Sequence, residues 1–296
     1  MRVFVTGASG FVGSAIVKEL LQAGHQVLGL ARTDKAAASI TAAGAEVFRG
    51  NIDDLENLKK GTEGCDAVIH TAFNHDFTRF KQNCEDDRKV ITALGEALKG
   101  SNRPLVITSG IGLIRLDRLI NEDDMPPGSD MVPRAASEEA ANAIREEMGV
   151  NSYILRLPPT THGAGDHGFI PMVIGMDKEK GQSAYIGEGQ NRWPAVHRLD
   201  AASMYRMIIE QQPEQKVYHA VAEEGIPFKQ IAEAISKGAG LPVVSIEGKE
   251  AEDHFGWFLH FASIGCAASS EQSRKTLGWQ AKQATLLEEL VPGIYF

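Results

Sequence analysis

Cysteine is scarce in this chain, with three residues in 296, at Cys65, Cys84 and Cys266. They are scattered and odd in number, which argues against a disulfide framework and suits a reducing compartment. No Cys/His cluster has zinc spacing. Positive charge is also short: 30 Lys and Arg face 39 Asp and Glu, for a net charge of −9. A nucleic-acid or anionic-membrane partner would need basic patches, so neither is expected. No apolar run approaches the ~18 residues of a membrane span. The opening MRVFVTG carries no signal-peptide pattern, and the expected location is cytoplasmic. No Walker lysine follows the glycine-rich loop, and no nucleophile elbow accompanies a Ser-His-Asp set. Kinase and hydrolase chemistry are therefore set aside.

What the chain does contain is alternation. RVFVTG, HQVLGLA, AEVFRG, DAVIHTA, RPLVITSG and SYILRLP are short aliphatic, β-branched runs separated by helical or mixed patterns. Continuous apolar runs of this kind suit strands buried on both faces. The alternation predicts an α/β fold with a doubly wound parallel sheet. After Pro158 the composition changes to PPTTHGAGDHG, which is loop chemistry. Beyond it lie helical patterns at 200–211, PFKQIAEAISKGAG and AEDHFGWFLHFA, and a strand pattern, VYHAVA, at 217–222. We expect a dinucleotide-binding unit over 1–158. A smaller C-terminal α/β lobe over 159–296 should share an interface with it rather than stand as an independent domain.

The first strand runs into TGASGFVG, with Gly7, Gly10 and Gly13 three apart and a helix starting at Phe11. Glycines here permit a turn outside ordinary φ/ψ space, close approach of backbone to a pyrophosphate, and tight helix–strand contact. The helix start offers unpaired N–H groups and the positive end of the dipole. Thr6, Gly7, Ser9, Gly10, Phe11, Val12 and Gly13 are the expected cradle of a Rossmann-type fold. About 20 residues after the glycines, an NAD enzyme places a carboxylate for the ribose 2′-OH. Here the sequence reads LARTDK, with Ala31 and the cationic Arg32. A guanidinium fork suits a 2′-phosphate, so Arg32 and Thr33 point to NADP(H).

TGASGFVG, GNIDD, VIHTAF, VITSG and LRLPPTTHGAGD together resemble the extended and atypical short-chain dehydrogenases/reductases, a likeness that continues to SSEQSRKTLGW at 269–279. The resemblance implies a Rossmann-type domain with a small substrate lobe. It implies that Asn51 and Ile52 flank the adenine, that Thr71, Ala72 and Phe73 line the cofactor groove, and that Pro158 sits by the nicotinamide. A dimer through helices near 79–99 and 134–149 also follows by analogy.

The departures from that family concern chemistry. Its reductases carry a Ser after the fifth strand and a Tyr-x-x-x-Lys pair on the next helix. This chain has Gly110 at the Ser position, with Ser109 one place earlier. VPRAASEEAANA puts Arg134 at the Tyr position and Glu138 at the Lys position. Arg134 stays protonated and cannot act as an ordinary acid. It can stabilise an oxygen that gains charge. Alternatively Arg134 pairs with Glu138 on an exposed helix face, worth a few tenths of a kcal/mol, or with Asp130 one turn away.

In the lobe, His162, Asn191, Trp193, Phe255 and Trp257 are the candidates for holding substrate, against a competing reading of core packing for the aromatic residues. The expectation is an NADP(H)-dependent carbonyl reductase for a small-molecule ketone or aldehyde, with Ser109 and Arg134 polarising the carbonyl. The alternative is a non-enzymatic NADP(H)-binding redox sensor.

Overall fold

The computed structural model describes residues 1–296. Strands β1 (Arg2–Thr6), β2 (Gln26–Ala31), β3 (Glu46–Arg49), β4 (Ala67–His70), β5 (Leu105–Gly110) and β6 (Ser152–Leu157) form where the six apolar runs lie. Between them run α1 (Phe11–Gln22), α2 (Asp34–Ala42), α3 (Leu55–Gly61), α4 (Phe80–Leu98) and α5 (Ala136–Met148). The strands pair in parallel, and a seventh joins them further along the chain. Residues of β4 are fully buried, as a central parallel strand requires.

The rest of the chain builds β7 (Thr160–His162), α6 (Phe169–Lys180), β8 (Ser183–Ile186), β9 (Arg192–His197), α7 (Arg198–Gln211), β10 (Val217–His219), β11 (Glu223–Pro227) and α8 (Phe228–Ala239). It ends with β12 (Val243–Ile246), α9 (Gly248–Phe255), α10 (Leu259–Ser263), α11 (Glu271–Leu277) and α12 (Leu286–Glu289). The VYHAVA strand is expected in the lobe. Instead β10 pairs with β6, and the large sheet has the order β10-β6-β5-β4-β1-β2-β3. Helix α7 leads into it, packing beside α1 through Ala201, Tyr205, Ile208 and Ile209. The chain thus enters the lobe after β6, returns to the sheet through α7 and β10, and leaves again.

Helices α1, α2 and α7 cover one face of the sheet. Helices α3, α4 and α5 cover the other. There α4 and α5 approach closely at Gly95, where a Cβ would lie 2.7 Å from Ile144 Cγ2. The lobe has its own core, with Trp193, Phe228, Phe255 and Phe258 at its centre, bounded by a β11-β9-β7 sheet and a β12-β8 pair. No helix is long and apolar enough to cross a membrane. The strand order reverses between β1 and β4, so their C-terminal ends open a crevice, the usual ligand position in such sheets.

Candidate active site

At the end of β1 the backbone turns through Gly7 at φ +67°. A Cβ there would lie 2.6 Å from Thr71 Oγ1 and 2.8 Å from the Ala72 nitrogen, so the loops after β1 and β4 touch. A Cβ on Gly13 would overlap the Gly7 carbonyl oxygen. Helix α1 begins after Gly10 with no side-chain cap and no acid in its first turn. Its leading N–H groups and positive dipole end are free for an anion. The residues present therefore fit a dinucleotide pyrophosphate.

At the adenine end, Arg32 is exposed and forms no ion pair, while Asp34 turns away to Arg49 at 2.7 Å. Thr33 caps α2 by accepting from the Ala36 nitrogen at 3.2 Å. The Asn51 amide donates to Asp53 at 2.9 Å, with Ile52 between them.

At the crevice, Thr6 Oγ1 accepts from the backbone nitrogens of Thr71 and Ala72, at 3.2 and 3.3 Å. Its lone pairs are then occupied, and its O–H points to His70 Nδ1 at 2.7 Å. On its other side the ring donates through Nε2 to Asp87 Oδ1 at 2.9 Å. The other Asp87 oxygen accepts from Ser137 Oγ at 2.5 Å and from Arg134 Nη1 at 2.8 Å. Burial opposes the charge on Asp87, but the Arg134 guanidinium and the His70 and Ser137 hydrogen bonds overcome it. The carboxyl is held well below the usual range.

Arg134 is locked further. Its Nη2 donates to the Thr108 carbonyl at 3.1 Å, and its guanidinium lies 4.0 Å from the centre of the Phe73 ring. Its side chain is 15% exposed, and Nε has no protein partner. Its ion-pair partner is thus Asp87, neither Glu138 nor Asp130.

Glu138 belongs to a separate buried cluster. It accepts from Arg156 Nε and Nη2 at 2.8 and 2.7 Å, a bidentate pair sealed from water. Arg156 Nη1 reaches the Asp124 carbonyl and His219 Nε2. Ser109 donates to Glu138 Oε1 at 2.6 Å and is 5% exposed. Its hydroxyl proton is therefore committed, which corrects the expectation that Ser109 polarises a carbonyl.

The lobe residues need a similar correction. Trp193 is fully buried and donates to the Ile264 carbonyl at 3.1 Å, and Phe255 is 1% exposed in the lobe core. Asn191 spends its amide on the Ala262 and Ile264 carbonyls. His162 is buried, with Nδ1 2.5 Å from Glu289 Oε2. Burial disfavours charge on both partners, pushing the His162 imidazole down to about 4 and the Glu289 carboxyl up. Of the five substrate candidates only Trp257, 56% exposed, reaches solvent broadly. It joins two rings that sequence reasoning missed, Phe77 and Phe80. From Phe73 by Arg134, ring contacts at 5–6 Å pass through Phe80 and Phe77 to Trp257 and Phe261. The ladder therefore crosses from the sheet domain to the lobe. Asp87 was missed too, although it carried a signal: an acid on the buried face of α4, between Cys84 and Val90.

Fold and phosphate loop together define an NAD(P)-binding protein. A family model described as NAD(P)H-binding matches residues 7–184. An uncharacterized protein of Schizosaccharomyces pombe is 47% identical, with 100% of each chain covered. The sterol-4-alpha-carboxylate 3-dehydrogenase, decarboxylating, of Dictyostelium discoideum is 26% identical, with 77% of this chain and 73% of that one covered. Among solved structures, a dTDP-glucose 4,6-dehydratase from Streptomyces venezuelae with NAD bound superposes with a TM-score of 0.79 at 19% identity, covering 99% and 96% of the two chains. The chain belongs to the NAD(P)H-binding family, and its fold is that of the extended short-chain dehydrogenases/reductases.

Proposed function

We propose that the protein is an NADP(H)-dependent carbonyl reductase whose substrates are neutral aldehydes or ketones bearing an apolar ring. The observation that carries this reading is Arg134. The family resemblance puts it at the Tyr position, and it is fixed by Asp87 and the Thr108 carbonyl with Nε left unpaired. The 3-dehydrogenase name of the Dictyostelium relative is in keeping with redox chemistry of this kind.

When bound, the reduced nicotinamide supplies a hydride to the carbonyl carbon. Arg134 donates a hydrogen bond to the oxygen as negative charge develops there, and its rigid anchoring means little reorganisation is needed. Arg134 keeps its own protons. Water gives the alkoxide its proton, and the hydroxide left behind takes up a proton from bulk solvent, so that carbonyl, reduced cofactor and one proton become an alcohol and the oxidised cofactor. Asp87 neutralises Arg134, which leaves no net charge to select a carboxylate and supports a neutral substrate. The ring ladder from Phe73 to Trp257 supports an apolar, planar one. Arg32, without an acid partner and with Asp34 drawn to Arg49, supports NADP(H) over NAD(H).

The test follows NADPH and NADH absorbance across aldehydes, ketones and quinones. NADPH should be consumed, and NADH much more slowly. Arg134→Ala should lower kcat by roughly 10²–10³-fold, the size expected for a lost oxyanion donor. Unchanged turnover in that variant sinks the assignment. Trp257→Ala should raise KM for aryl aldehydes more than for alkyl ones. One observation favours the alternative redox sensor: Ser109, the second carbonyl donor, is occupied by Glu138. Tight NADPH binding with no consumption of either cofactor would support that reading.

A further inference from the structure

A cation sits against the phosphate loop at the start of α7. Arg198 is the first residue of α7 and is half-buried. Its guanidinium lies 4.9 Å from the centre of the Phe11 ring, and Nη1 donates to the Phe11 carbonyl at 3.3 Å. Phe11 is the first residue of α1, directly after Gly10. The lobe loop presses on Arg198 from another side: at Gly163, φ +130°, a Cβ would lie 3.4 Å from Arg198 Cγ. The His167 ring also meets Phe11, edge on at 5.7 Å.

Arg198 stands on the Phe11 carbonyl and the Phe11 ring, beside the first turn of α1. No carboxylate forms an ion pair with it. Glu289, the nearby acid on α12, is engaged by His162 at 2.5 Å and His197 at 3.4 Å. The bond to Phe11 is long and easily exchanged. An anion lodged between Arg198 and the start of α1 would give this guanidinium a charged partner. The anion this loop is shaped to receive is a diphosphate.

We propose that Arg198 is a pyrophosphate ligand supplied from the start of α7, beside α1, completing the backbone cradle of Gly7–Gly13. The glycine loop holds one side of the diphosphate with N–H groups, and Arg198 holds the other with a guanidinium fork. This inference rests on dinucleotide binding alone and does not depend on carbonyl reduction.

Calorimetric titration tests it with three probes: NADPH, ADP-ribose, which has the diphosphate but no 2′-phosphate, and 2′-AMP, which has the reverse. In Arg198→Gln, affinity for NADPH and ADP-ribose should fall roughly 10- to 100-fold, the range for a lost charged hydrogen bond. Affinity for 2′-AMP should stay within about twofold. Arg32→Gln should give the opposite pattern, weakening 2′-AMP and sparing ADP-ribose. Arg198→Lys keeps the charge and should retain most of the ADP-ribose affinity. Unchanged ADP-ribose binding in Arg198→Gln, equal loss for all three probes, or equal loss in the Lys and Gln variants would each overturn the proposal.

Discussion

Glu138 and Arg156 are sealed from water, with side-chain exposures of 2% and 0%, so each relies on the other to keep its charge in the interior. Glu138→Gln leaves the guanidinium unpaired and should cost about 3–5 kcal/mol by chemical denaturation. The double change Glu138→Leu with Arg156→Met removes both charges and should recover most of that loss. Asp87 behaves differently, because its partner Arg134 is 15% exposed. Asp87→Asn should leave Arg134 mobile, lowering kcat more than it raises KM, a split that a purely structural role would not produce. Arg134 was legible in the sequence because it stands at a position where the family resemblance places a Tyr. Its partner was not, because Asp87 lies 47 positions away and only α4–α5 packing joins them. Glu138 looked like half of a surface i,i+4 pair; helical spacing allows that contact, but burial beside Arg156 overrides it.

At the scale of elements, the β1–α1 unit is the part most fully encoded locally. Strand, glycine spacing and helix start all follow from RVFVTGASGFVG, and the structure places a close contact at each of Gly7, Gly10 and Gly13. Gly13→Ala cannot fit against the Gly7 carbonyl, so the loop must move. Calorimetry should then show NADPH binding lost while far-UV circular dichroism stays close to that of the parent. The lobe was less legible. The apolar residues of 251–261 turn in two directions, because α9, a short 3-10 turn and α10 break the segment into three pieces. Phe255 and Phe258 then point into the core, and Trp257 and Phe261 meet Phe77. One continuous helix would have placed these rings differently, and periodicity alone assumed one.

For the whole molecule, the buried polar groups where β6, β10 and α5 meet make stability depend on pH. Burial, and then the neighbouring Arg156 charge, push the His219 imidazole down to about 3. Its Nδ1 donates to the Ser269 carbonyl at 2.8 Å, and Nε2 faces Arg156. The unfolded chain protonates this group near ~6.5. Below that pH the unfolded state binds more protons, so stability falls as pH drops from ~6.5 toward about 3, by up to ~1.4 kcal/mol per unit. Asp87, held low in the fold, adds stability above its unfolded value of ~3.9, and that contribution is lost as pH falls further. Melting temperatures measured from pH 7 to 4 should decline, and His219→Gln should flatten the decline. An unchanged slope in that variant would show that another group sets it.

By itself the sequence determined the alternation of strands and helices, the glycine loop and the cationic residue after β2. Each depends on neighbours within a turn or a strand, where periodicity and backbone sterics act directly. Tertiary structure decided what the side chains of the crevice do. It tied Ser109 to Glu138, locked Arg134 onto Asp87, buried Trp193 and Phe255, and returned β10 to the large sheet. It also brought Arg198 beside Phe11 across 187 positions of chain. The physical reason is that a buried charge needs a partner wherever packing supplies one, and that partner is set by which elements meet in space.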